Sequence, residues 1–215
     1  MLIQGAFRRA GYDLRRIHSA ASEIWIDVGA HLGETTFEAA SRNPRLIVFA
    51  FEPNWDLARQ MMGKAANFIV LPMAVSDTDG VATFYINAED GSSSLLKLMV
   101  EGVPESKREA ARVKAEVLVP TIRLDTFLRQ MDLRRIDYLK VDSEGMDLRV
   151  VQSAGDRLKD IRKIKMEVES GEGHGYHGQA NREDAIFFMA RHGFRLMSIE
   201  KQNEDRQENL TFLAG

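Results

Sequence analysis

The sequence predicts an α/β fold whose sheet is mostly parallel and closes with a C-terminal antiparallel hairpin. Three observations carry this. Residues 24–28 and 46–51 are short apolar runs rich in β-branched and aromatic residues, the mark of strands buried on both faces. Each run is followed by a turn and a helix-like pattern, the alternation that builds a parallel sheet. At the C-terminus, extended runs at 194–200 and 210–213 flank only the polar turn 202–209, and strands joined so closely must be antiparallel.

The bulk properties set the bounds. A chain of 215 residues is read as an N-terminal helical arm over 1–22 and one domain over 23–215. A formal net charge of −3 argues against a nucleic-acid partner, which would show a basic excess. The absence of cysteine excludes a disulfide scaffold and a thiol nucleophile. No apolar run approaches the roughly 20 residues of a membrane span. The first residues lack the basic-then-apolar order of a signal peptide. The expectation is a cytoplasmic protein without a transmembrane segment; oligomeric state is not set by the sequence.

In chain order, the arm combines Leu2, Ile3, Phe7, Leu14 and Ile17 with four arginines; its short apolar stripe fits a solvated helix on the sheet edge or a cap over the crevice better than a basic amphipathic surface for anionic lipid. The first strand, 24–28, breaks at Gly29 and Gly33, and a helix follows over 35–40. The second strand, 46–51, ends at Glu52-Pro53, because proline cannot continue the ladder. A helix is predicted over 55–66. A third strand is predicted over 67–75, with Pro72 at a bulge, before a turn at 76–80. Residues 81–87 alternate as a strand. Residues 88–118 interrupt the alternation as an insert, with a serine-rich stretch at 92–94 and a charged, helix-like stretch at 101–114. Inserts of this kind commonly carry substrate recognition or a lid. An extended run over 116–125 leads to a helix over 126–131. Residues 136–142 form a strong strand, and 147–153 a helix capped by Gly155. Residues 163–169 alternate as a strand that ends in the glycine-rich loop 170–178. The helix 182–192 stops at Gly193.

The first strand and its glycine loop organise a nucleoside site. A strand that feeds a glycine turn and then a helix lets the backbone approach a ligand closely. Glu52 lies about 20 residues further on, at the tip of the next strand, where a carboxylate can accept both ribose hydroxyls. The dinucleotide pattern G-x-G-x-x-G fails twice, at His31 and at Glu34. The spacing found is acid-x-Gly-x-x-x-Gly, from Asp27 through Gly29 to Gly33, and it resembles the first motif of class I S-adenosylmethionine-dependent methyltransferases.

The remaining motifs narrow the resemblance to one family. They are Ile26-Asp-Val-Gly-Ala-His-Leu-Gly-Glu-Thr35, Phe51-Glu-Pro53, Ala74-Val-Ser-Asp77, Ser92-Ser-Ser-Leu95, Val119-Pro-Thr-Ile-Arg-Leu-Asp125 and Tyr138-Leu-Lys-Val-Asp-Ser-Glu-Gly145. In this order, from about residue 24 to the C-terminus, they resemble the FkbM family of methyltransferases. The resemblance implies a Rossmann-like class I sheet, S-adenosylmethionine as methyl donor, and O-methylation of a hydroxyl on a sugar or secondary metabolite. It places the cofactor against Asp27, Gly29, Ala30, His31, Gly33 and Thr35, against Glu52 and Pro53, and against Ala74, Ser76, Asp77 and Asp142. His31 departs from the family, which often has Asn there.

The chemistry expected is in-line displacement, helped by a base on the acceptor hydroxyl. Asp142 and Glu144 share one strand tip, Glu167 and Glu169 the next, and His174 and His177 sit in the loop after it. The candidate catalytic residues are Asp142, Glu144, His174 and His177. Carboxylates with imidazole also suit a divalent metal, but the ligand spacing matches no tight motif, so no metal ligands are assigned. The partner expected is a small-molecule or glycan acceptor. Two other classes share the crevice: a nicotinamide-dependent oxidoreductase, which the fingerprint mismatch disfavours, and a non-catalytic nucleoside-binding module.

Overall fold

The computed structural model of the chain describes residues 21–99, 108–109, 111–169, 175–201 and 207–215. All but the last two residues of the predicted arm, most of the charged stretch of the insert and His174 lie outside them. No helix among the described residues is long and apolar enough to cross a membrane.

In chain order the strands are β1 (Glu23–Val28), β2 (Leu46–Phe51), β3 (Phe68–Leu71), β4 (Ala74–Val75), β5 (Gly80–Asn87), β6 (Val113–Ile122), β7 (Tyr138–Val141), β8 (Lys163–Glu169), β9 (Phe194–Lys201) and β10 (Gln207–Ala214). The α-helices are α1 (Glu34–Arg42), α2 (Trp55–Met61), α3 (Leu124–Gln130), α4 (Asp147–Gln152) and α5 (Arg182–Arg191). Seven strands form the main sheet in the order β3-β2-β1-β7-β8-β10-β9. β10 is antiparallel to both of its neighbours, while the other pairs are parallel. The predicted hairpin is therefore real, and its second strand inserts between β8 and β9.

Burial explains why the central strands read so clearly. All six residues of β2 are buried, so the strand is a continuous apolar run. Phe49 and Phe51 meet Phe127 of α3 edge-to-face, with centroids 5.3 and 4.9 Å apart. Polar residues pin the ends. The Asn54 side chain caps α2 by accepting from the Asp56 N–H, and Asn181 caps α5 by accepting from the Asp184 N–H. Asn67 donates to the carbonyls of Ala40, Asn43 and Leu46, which ties β3 to the end of α1 and the start of β2.

Four expectations need correction. Residues 67–75 are not one bulged strand. Pro72 has no N–H to give, β3 stops at Leu71, and Ala74–Val75 joins a separate three-stranded sheet of order β4-β6-β5. The insert is shorter than 88–118, because β6 starts at Val113 and pairs antiparallel along the whole of β5. The second helix ends at Met61 rather than at 66. Gly155 does not end α4; it begins a 3₁₀ turn, Gly155–Asp160.

Candidate active site

A crevice opens at the carboxyl ends of β1, β2 and β7, the usual ligand position in an open α/β sheet. Gly29, with φ +71°, makes it possible. A Cβ there would stand 1.8 Å from the Asp142 carbonyl oxygen, so only glycine lets the loop after β1 touch the loop after β7. The Gly29 and Ala30 N–H groups both donate to the Phe51 carbonyl, at 3.1 and 3.0 Å. The glycine loop is thereby sewn to the end of β2, where Glu52 follows.

Glu52 is clamped at its predicted place. It is 5 % exposed, and its two oxygens accept from the backbone N–H groups of His31 and Asn54, each at 2.8 Å. Burial pushes its carboxyl up to about 7, against the pull of those two donors. His31 reaches this position with φ +51°, a left-handed conformation that His tolerates better than most side chains. Its ring faces Glu34 through Nδ1 and Asp90 of the insert through Nε2, both at 3.2 Å. Burial works against the imidazolium, but Asp90 and Glu34 outweigh it and raise the His31 pKa. His31 thus bridges the glycine loop to the insert.

The crevice wall continues through Pro53, Met73, Ala74, Val75, Phe84 and Leu95 to Ser143 and Glu144. Six of the predicted cofactor residues, Asp27, Ala30, Gly33, Thr35, Ser76 and Asp77, are not part of the crevice wall. Thr35 is exposed on α1; one position along the helix, Thr36 turns inward and its hydroxyl donates to Asp27. Ser76 is buried and donates to Asp77, which is exposed, and neither forms part of the wall. They leave the crevice because β4 carries the chain into the second sheet. Asp27 is 2 % exposed and faces Lys140 of β7, whose Nζ lies 3.1 Å away. Burial pushes the Asp27 carboxyl up and Lys140 pulls it back. Burial alone would lower the Lys140 ammonium, but Asp27 and Asp142 outweigh it and hold it above its ordinary range.

Asp142 and Glu144 of the crevice wall belong to a group of carboxylates. Asp142, Glu144 and Glu167 bring one oxygen each to within 4.8 Å of one another. Lys140 Nζ is 3.3 Å from Asp142. Asp147, fully buried at the start of α4, accepts from the N–H groups of Ser143 and Gly145, both at 3.2 Å, and so shapes the loop that carries Glu144. Crowding has a direct electrostatic effect. Burial, reinforced by the neighbouring carboxylates, pushes Asp147 up to about 7, Glu144 to about 8 and Glu167 to about 10. Glu144 also adopts φ +53°, a strained conformation for a long side chain. Among the described residues, the group close enough together to hold a metal ion consists of these three carboxylates, Asp142, Glu144 and Glu167.

The histidine expectation fares differently. His177 is exposed, and its backbone N–H donates to the Lys97 carbonyl. Among the described residues of that loop, its neighbour Tyr176 turns inward, and its hydroxyl lies 2.8 Å from Glu144 Oε2. Sequence reasoning missed Tyr176, Thr36, Lys140 and Asp147. Helix phase could have favoured Thr36 over Thr35; the others depend on contacts between distant segments.

A mostly parallel sheet with one antiparallel strand near its edge, a glycine loop after the first strand and a carboxylate at the tip of the second define a class I methyltransferase fold. Solved structures agree. A chain of a fibrillarin/Nop5p complex superposes with a TM-score of 0.51 at 9 % identity, covering 90 % of this chain and 73 % of that one. Aeropyrum pernix fibrillarin, crystallised with natively bound S-adenosyl-L-methionine, gives 0.50 at 9 % identity, covering 90 % and 67 %. The family model described as methyltransferase FkbM domain matches residues 27–196, and the chain belongs to that family. AMB antimetabolite synthetase AmbE of Pseudomonas aeruginosa is 27 % identical over 208 residues, which cover 80 % of this chain and 10 % of that protein. The chain therefore spans about a tenth of that relative's length.

Proposed function

We propose that this protein transfers a methyl group from S-adenosylmethionine to a hydroxyl oxygen of a small-molecule or glycan acceptor, a sugar or secondary metabolite. The observation that carries the reading is that Glu52 and Glu144 line one crevice together with Gly29, whose bare backbone meets the Asp142 carbonyl. The fit to the cofactor rests on chemistry. Glu52 is a buried acceptor at the tip of β2, suited to two ribose hydroxyls. Met73, Ala74, Val75, Phe84 and Leu95 make an apolar wall suited to a purine. Asp142 stands next to the glycine loop, suited to the amino group at the methionine end.

When bound, the cofactor supplies an electrophilic methyl group on a positively charged sulfur. The chain's part is alignment, exclusion of water and removal of a proton. Glu144 is the residue we assign as base. Its carboxyl is pushed to about 8, close enough to neutrality to accept a proton and release it again. Burial and the negative charge of Asp142 beside it favour the protonated form that follows transfer. The insert, joined to His31 through Asp90, forms the side of the crevice that the acceptor meets.

The test is binding followed by turnover. Thermal shift should respond to S-adenosylmethionine and to its demethylated product but not to NAD. With a panel of hydroxylated sugars and metabolites, turnover should yield a methyl ether. A response to NAD alone would support the oxidoreductase class. Cofactor binding without turnover on any acceptor would support a binding module.

A further inference from the structure

We infer that Tyr176 is a positioning residue, which holds the Glu144 carboxylate toward the crevice and fastens the insert to the loop after β8. The inference rests on the assignment of Glu144 as base. Tyr176 is 5 % exposed, and its hydroxyl lies 2.8 Å from Glu144 Oε2 and 2.8 Å from the Ser92 carbonyl oxygen.

The site around the phenol is built for it. A Cβ on Gly145 would stand 2.7 Å from Tyr176 Cβ and 2.9 Å from Cγ, so the ring rests on bare backbone that only glycine provides. The Tyr176 N–H donates to the Gln179 side chain at 3.0 Å. The two covering segments are laced together. Leu98 and Tyr176 form an antiparallel bridge, the Met99 N–H donates to the Gly175 carbonyl, and the His177 N–H donates to the Lys97 carbonyl. The Ser94 hydroxyl donates to the Glu144 carbonyl at 2.6 Å. Glu144 is thus held at its backbone by the insert and at its carboxylate by Tyr176.

A phenol has one proton and an oxygen that also accepts. While Glu144 is ionised, the phenol proton points to Oε2. When Glu144 carries a proton on Oε2, that proton is donated to the phenol oxygen, and the phenol proton turns to the Ser92 carbonyl. Neither state leaves the phenol oxygen or Glu144 Oε2 without a partner, and the Ser92 carbonyl accepts from the Asn87 side-chain amide in both, so the carboxyl group is held in one place before and after it takes the acceptor's proton. Burial and the nearby carboxylates keep the phenol well above its ordinary range, which leaves it protonated.

A double-mutant cycle on kcat tests this, with Tyr176→Phe, Glu144→Gln and both together. Acceptor KM and cofactor affinity are measured in parallel. Tyr176→Phe should lower kcat on the order of tenfold or more, move KM less, and leave cofactor affinity within about twofold of wild type. In the Glu144→Gln background it should cost nothing further, because its effect runs through that carboxylate. Losses that multiply, or a Phe variant with wild-type kcat beside an impaired Glu144→Gln, would overturn the inference. Wild-type turnover in Glu144→Gln would instead overturn the base assignment beneath it.

Discussion

Glu52→Gln isolates the carboxylate to which we assign ribose binding. The wild-type group accepts from two backbone N–H groups while 5 % exposed. Glutamine offers one carbonyl oxygen and one NH₂, so one of the two buried donors keeps its partner and the other faces a second donor. An unsatisfied buried donor costs about 1–3 kcal/mol, and the melting temperature should fall accordingly. At the ribose, loss of a hydrogen bond to a charged acceptor costs about 1.5–3 kcal/mol. That corresponds to roughly a ten- to 150-fold weaker Kd for each bond lost. The titration gives an independent signature. Glu52 is pushed up to about 7, so below that value the free protein holds a proton that ribose binding must displace. Wild-type affinity should therefore rise from about pH 6 to about pH 8, and the glutamine variant should lack this component. Calorimetry at both pH values measures both effects. Unchanged affinity in a folded Glu52→Gln protein, with the same pH dependence as wild type, would refute the ribose assignment.

Three further outcomes follow from the same geometry. Glu144→Gln should abolish most turnover while sparing cofactor affinity, and wild-type kcat should rise with pH through about 8 as the base ionises; a flat pH–rate profile would contradict it. The ligand-free protein should lose stability as pH rises, because Glu52, Glu144, Asp147 and Glu167 all have folded pKa values raised by burial above their ordinary ones, so the folded state holds protons that the unfolded chain releases; melting temperatures that climb steadily from about pH 5 to about pH 9 would contradict this. Lys140→Met leaves Asp27 buried without its cation, which should cost about 3–5 kcal/mol in chemical denaturation, and a near-neutral effect would show that Thr36 alone satisfies Asp27.

What the sequence made legible was whatever a single segment encodes. The strands over Leu46–Phe51 and Lys163–Glu169 could be read to the residue, because burial on both faces, or on alternate positions, writes itself into local pattern. Glu52 was legible because a proline marks the strand end beside it. The transfer of Ala74–Val75 to a second sheet was not, since Pro72 signals a break without saying where the chain goes next. Thr35 and Thr36 differ only in helix phase, and one residue of rotation decides which meets Asp27. The carboxylate group draws on β7, its following loop, α4 and β8, and Tyr176 joins it from a fifth segment. Nothing in any one of these segments announces the others. The histidines of the same loop looked more reactive in isolation, but the three-dimensional path turns Tyr176 inward and leaves His177 exposed.

The most direct test of the account is to incubate the protein with S-adenosylmethionine carrying a labelled methyl group and a panel of hydroxylated acceptors, and to locate the label by mass spectrometry and NMR. The account predicts the label on an acceptor oxygen, one equivalent of demethylated cofactor for each methyl transferred, and loss of both in Glu144→Gln. Label found on nitrogen or carbon, or transfer undiminished by that substitution, would contradict it.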